Sequence, residues 1–331
     1  RLRDLAHGGQ TVLSAVVRDL VEDALPADAW LIDLGAHQLR DLPRPDQVAQ
    51  LCHPDLKNDF PPLRSTKSVE SHGFPTHLTS FIGRVSALDE MDSLLRANRL
   101  VTVTGAGGVG KTRLAVRVGA GLAAAFPDGV FYADLAPITD ADVVATTVAT
   151  ALGAPEYPGH STIDDVGRFI GGQQMLIVLD NCEHLLDASA AVASRLLSVC
   201  QAVTILATSR EVLGVAGEVT WRVPSLSLSD EALELFVDRA RLVRPDFTLD
   251  PGNMTTVTEI CRRLDGMPLA IELAAARVRA LSPAEVLDSL HDRFRLLTGG
   301  ARTATQRQQT LRASVDWSHA LLTDNERILF R

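Results

Sequence analysis

Residues 101–112 read VTVTGAGGVGKT, and few folds accommodate such a run. Val101 to Thr104 are β-branched, as a buried strand would be. Gly105-x-x-x-x-Gly110-Lys111-Thr112 then satisfies every fixed position of a phosphate-binding loop. Gly105, Ala106, Gly107, Gly108, Val109 and Gly110 form a stretch whose backbone N–H groups can turn inward onto a polyphosphate. Lys111 supplies a point charge for the β- and γ-phosphates, and the Thr112 hydroxyl can ligate Mg²⁺. A helix over about 111–126, with Arg113 in its first turn, points its positive dipole end at the same place. The expected ligand is ATP or ADP with Mg²⁺.

The sequence has 331 residues, enough for two or three domains, and 46% hydrophobic with 22% charged residues is ordinary for globular chains. A net charge of −9 argues against a nucleic-acid surface in this segment. Cys52, Cys182, Cys200 and Cys261 share no metal-ligand spacing, so they read as reduced thiols. No apolar run reaches membrane-spanning length and no signal peptide is visible, which points to the cytoplasm and no membrane partner. Arg1 is not a methionine and Arg331 falls inside a helical pattern, so the sequence reads as part of something longer.

Residues 1–56 read as a small α/β piece. It has a short strand at Gln10 to Leu13, a helix over 15–24 capped by Ser14, a hairpin over Trp30 to Leu39 around Gly35-Ala36, and a strand at Gln47 to Cys52. Prolines 61, 62 and 75 among Ser and Thr mark 57–77 as a linker. From 78 to 225 helices alternate with strands at 101–104, 130–135, 174–179, 203–208 and 219–223. This pattern predicts a parallel sheet with helices on both faces. Beyond Pro224 only helices are expected: a helical domain over 226–297 and the start of another over 298–331.

Two further strands end in chemistry. Met175 to Asp180 is an apolar strand closing in a carboxylate, about 70 residues after the loop. A nucleoside triphosphatase of this type needs that carboxylate for Mg²⁺, on a strand beside the loop. Asn181 follows where many hydrolases carry a second carboxylate, and an amide cannot act as a base. Glu183 is the nearest substitute, which predicts slow hydrolysis. Ile205 to Arg210 is the other such strand, and Arg210 would stand near a γ-phosphate at the sheet's carboxyl edge.

With these motifs the chain resembles STAND-class (NB-ARC-like) signalling ATPases over about 78–331. Phe81-Ile82-Gly83-Arg84 is similar to the segment that precedes their first helix and lies against the adenine. Gly266-Met267-Pro268-Leu269-Ala270 is similar to their helical-domain motif, whose proline packs on the base. LDNCEH, ATSRE and RQQTLRASVDWSHALL resemble bacterial transcriptional regulators of this class. The resemblance implies a switch: ADP holds the nucleotide-binding and helical domains together, and ATP favours an open, self-associating form. It further implies a winged-helix domain beginning near 298. DNA would be reached only through a domain outside this sequence. Residues 1–56 are similar instead to the carboxyl end of class III nucleotide cyclase domains, with Arg1 where those enzymes carry a transition-state arginine. Their metal-binding aspartates would precede Arg1, so the piece alone is expected to lack cyclase activity. The alternative reading is a cyclase signalling enzyme with an accessory ATPase module.

Overall fold

The computed structural model describes residues 2, 6–22, 25–26, 28–37, 46–58, 60, 71–75, 78–154 and 161–290. Arg1, most of the segment 57–77 and all of 298–331 lie outside the described residues. The chain divides into two compact units, Arg1–Glu70 and Ser71–Arg331.

In the first unit β1 (Thr11–Ser14), β2 (Trp30–His37) and β3 (Asp46–Cys52) form an antiparallel sheet in the order β1-β3-β2. Ser14 ends β1 and caps α1 (Ala15–Val21), accepting a hydrogen bond from Val17 N. A short hydroxyl there satisfies one of the orphan donors of the helix start. The hairpin expected around Gly35-Ala36 is a correction. Trp30–His37 is one strand, and its pairing steps from Asp33↔Ala49 to Ala36↔Gln47. Three residues along β2 thus match two along β3, which is a bulge. A glycine inside a strand marks a bulge as readily as a turn.

The second unit begins with β4 (Ser71–His72), inside the stretch that composition assigns to a linker. It pairs with β6 (Val130–Asp134) at the edge of a parallel sheet ordered β4-β6-β7-β8-β5-β9. The remaining strands are β5 (Leu100–Thr104), β7 (Leu176–Asp180), β8 (Thr204–Ser209) and β9 (Val219–Arg222). The helices α2 (Val85–Ala97), α3 (Lys111–Gly121), α4 (Val143–Leu152), α5 (Thr162–Ile170) and α6 (Leu186–Val199) cover it. β5, β7 and β8 are buried at every residue, as expected when both faces are covered. Leu100, Ile177, Leu179 and Ile205 of the sheet pack with Val148, Ile170 and Leu196 of the helices in one core. The fold is therefore the expected α/β one: a parallel sheet of the P-loop nucleoside triphosphatase kind with helical segments after it.

Those segments are α7 (Glu231–Val243), α8 (Met254–Arg263), α9 (Pro268–Ala275) and α10 (Pro283–Ser289). Their own core gathers Phe236, Ile260, Ile271 and Val286. Pro268 and Pro283 open their helices at the first turn, where a missing N–H costs nothing. Gly266 takes φ +64, and a Cβ there would lie 2.4 Å from Leu226 O. Glycine at this point of the GMPLA run is thus required by close backbone approach as well as by conformation.

Candidate nucleotide-binding site

The phosphate loop leaves β5 and enters α3 through three left-handed or extended glycines: Gly105 (φ +151), Gly108 (φ +82) and Gly110 (φ +95). Lys111 is buried and folds back over the loop, donating to Gly105 O at 2.8 Å and Ala106 O at 3.3 Å. Its ammonium therefore already stands within the loop, among acceptors that a phosphate would replace.

Asp180 is not on the strand beside β5, as the sequence suggests; β8 lies between β5 and β7. The carboxylate still reaches the loop because α3 crosses over β8 and β7. Thr112 Oγ1 donates to Asp180 at 2.9 and 3.0 Å to its two oxygens. Tyr132 of β6 donates at 2.8 Å and Asn181 Nδ2 at 2.6 Å, both to Oδ2, while the Thr208 hydroxyl of β8 donates to Oδ1. Asp180 is fully buried, and burial pushes its carboxyl above the usual carboxylate range, opposed by the hydroxyl hydrogen bonds. The nearby Asp134 charge adds to the upward push. Sequence reasoning missed Tyr132 and Thr208, for they lie on the two strands that flank β7 and share no motif with it.

A threonine hydroxyl beside a carboxylate is an oxygen donor pair that suits Mg²⁺, which keeps several waters and takes its other ligands from phosphates. Thr112 and Asp180 would hold it. Among the described residues no group of three or more His, Cys, Asp or Glu side chains could hold a metal unaided.

Asn181 adopts φ +64, turning its amide back onto Asp180. Glu183 follows in the 3₁₀ turn Cys182–His184 and is buried. Arg210, one residue beyond β8, forms an ion pair with it, Nε to Oε1 3.4 Å.

The segment before α2 sits between loop and helices. Arg84 (φ +62) is buried; its guanidinium donates to Val109 O of the loop at 2.6 Å and to Pro224 O at 3.1 Å. Its backbone N–H donates to Glu231 of α7. Burial pushes its basicity down, offset by the Glu231 charge. A Cβ at Gly83 (φ +66) would run into the same Glu231 side chain, 2.5 Å from Oε1. Arg113 donates to Thr79 O and Ser80 O and pairs with Glu272 of α9 at 3.1 Å. Arg239 of α7 pairs with the same Glu272 at 3.0 Å. Leu269 N–H donates to Gly108 O at 3.2 Å, so α9 begins directly on the loop, one residue after Pro268. Ile82 packs with the helical core and lines a cavity of about 500 Å³ with Leu233, Val237 and Leu249; none of residues 105–112 lines it.

Residues 87–214 match the family described as an AAA domain. The chain is 52% identical over 278 residues to the uncharacterized protein Rv0894 of Mycobacterium tuberculosis, covering 84% of this chain and 71% of that protein. It is 62% identical over 241 residues to Rv0890c of the same organism, named "Putative HTH-type transcriptional regulator", covering 73% of this chain but only 27% of the relative. Among solved structures, a STAND protein with a tetratricopeptide repeat sensor from Pyrococcus horikoshii aligns at 16% identity over 79% of this chain and 35% of that one, TM-score 0.43. The chain belongs to the family of Rv0894, and the loop, strands β5 to β8 and Asp180 lie in its AAA-type P-loop ATPase domain.

Proposed function

We propose that this chain is the nucleotide-dependent switch of a larger regulator, binding ATP or ADP with Mg²⁺ and hydrolysing ATP slowly. The observation that carries this is the convergence of Lys111, Thr112 and Asp180 at the carboxyl edge of the sheet, where Thr112 touches the buried carboxylate. The helical layer resting on Gly108 and Arg84 supports coupling of nucleotide to the packing of α7–α10. In this reading Ile82, Gly83, Arg84 and Pro268 belong to the base end of the ligand. Arg210 senses the γ-phosphate, ATP favours self-association, and a ligand shifts such an equilibrium only through unequal affinity for the two forms. DNA contact belongs to a part that this chain, spanning 27% of Rv0890c, does not contain.

Titration calorimetry of the full chain with Mg²⁺ and either nucleotide tests the proposal. Lys111→Ala removes a charge-assisted phosphate contact and should weaken both nucleotides by about 30- to 100-fold. Equal affinities for wild type and variant would sink the proposal. Turnover should stay below about 1 s⁻¹, the low end of ordinary enzymes.

A further inference from the structure

Adjacent strands deliver an acid and a base to the same edge of the sheet. Glu183 stands in the turn after β7, and Arg210 follows β8. Their side chains are 5% and 15% exposed, and Arg210 Nε lies 3.4 Å from Glu183 Oε1. The other carboxylate oxygen, Oε2, is buried and accepts no hydrogen bond from the described residues. A carboxylate at that depth with one oxygen unsatisfied leans on its counter-ion, since an uncompensated buried charge is costly.

Resting on the nucleotide-binding reading above, each member has a second role, Arg210 toward the γ-phosphate and Glu183 toward the attacking water. We propose that these roles and the ion pair exclude one another. Glu183 is the counter-ion of Arg210 until a γ-phosphate takes its place, and only then is the carboxylate released to orient water. Two anions converging on one largely buried guanidinium repel each other, so the phosphate displaces the carboxylate instead of sharing the cation with it. ADP, lacking the third phosphate, leaves the pair closed. Glu183 is thereby a specificity-determining residue: it lowers affinity for the triphosphate and leaves the diphosphate alone.

A double-mutant cycle on the full chain reads this directly. The probes are Mg²⁺-ADP and a non-hydrolysable Mg²⁺-ATP analogue, measured by calorimetry. Glu183→Gln should tighten the triphosphate about tenfold, within the range of measured charge-pair couplings, and leave ADP within about twofold. In an Arg210→Gln background the same substitution should change triphosphate affinity by less than about twofold. Equal tightening in both backgrounds would mean that Glu183 merely repels phosphate, and would overturn the proposal. So would equal tightening for ADP, or none at all. Glu183→Asp keeps the charge but shortens its reach, and should tighten the triphosphate in the same direction by a smaller factor. It serves the cycle if the glutamine variant fails to fold. A wild-type chain that binds neither nucleotide would instead dispose of the nucleotide-binding reading, and of the pair with it.

Discussion

At the carboxyl edge of the sheet one carboxylate meets neutral donors; at the seam between the two cores one carboxylate meets two cations. Asp180 is fully buried and accepts from Thr112, Tyr132, Asn181 and Thr208. Glu272 is 31% exposed and is shared by Arg113 and Arg239. The first arrangement is dry, with a carboxylate held among neutral hydrogen-bond donors. The second is partly exposed and is completed by Asp238, which also pairs with Arg239. A buried array of dipoles resists salt, while a partly exposed ion cluster is more sensitive to it.

Salt should separate the two regions most strongly. Glu272→Gln should leave Arg113 and Arg239 facing each other across the seam. Breaking a buried pair costs more, but partial exposure reduces the expected loss to about 2 kcal/mol, or roughly 4–8 °C in Tm for a domain of this size. In about 0.5 M NaCl that loss should shrink, though not disappear. A salt-insensitive loss would mean that the seam works by packing and not by charge. Tyr132→Phe keeps the ring against Phe74 and removes one donor from Asp180. Its expected cost is about 1 kcal/mol, or roughly 2–4 °C, unchanged by salt. Mg²⁺-dependent nucleotide affinity should fall with it.

Asp180→Asn probes the buried carboxylate by pH. Burial raises the folded-state pKa of Asp180 above its unfolded value. The folded state therefore holds the proton more tightly, and the contribution of Asp180 to stability is greatest below the unfolded pKa and is lost as pH rises through the folded one. The Tm of the variant relative to wild type should climb as pH goes from acid to neutral. A flat difference would show that the four donors hold the carboxylate without penalty. The smallest effect is expected at Glu259, on the surface of α8, which Arg262 and Arg263 hold down to about 2. Here the sign reverses: its stabilisation is present above the unfolded carboxylate range and is lost as pH falls through about 2. Glu259→Gln should lower Tm slightly at neutral pH and match wild type in strong acid.

The sequence discloses the two regions unequally, for a physical reason. Gly105 to Thr112 is contiguous, and its residue types follow from the backbone conformations and charge that a polyphosphate needs. Asp180 can be found because a strand's end carries it. The flanking donors cannot, because strand order decides them: β8 is inserted between β5 and β7, which makes Thr208 a neighbour of Asp180. Ser71–His72 is hidden for the same kind of reason, since two residues at a sheet edge have no periodicity to read. The seam is legible only as motifs. Arg84 with Glu231, 147 residues apart, and Arg113 with Glu272, 159 apart, are pairings that no local pattern announces. The resemblance of FIGR and GMPLA to known segments marks the right stretches. The structure adds that Arg84 touches the loop backbone and that Leu269 follows Pro268 onto it.

That last contact provides a clock. The opening amides of a helix have no partner within the helix. In α9 the first position is Pro268, which has no amide at all, and the fourth, Ile271, already donates inside the turn to Met267 O. Leu269 lies between them, and its N–H is spoken for by Gly108 O across the seam. Hydrogen–deuterium exchange at that one amide should therefore count departures of the helical layer from the loop, while the Ile271 amide counts fraying of α9 itself. The ratio of the two rates would separate how often the two cores part from how often the helix melts.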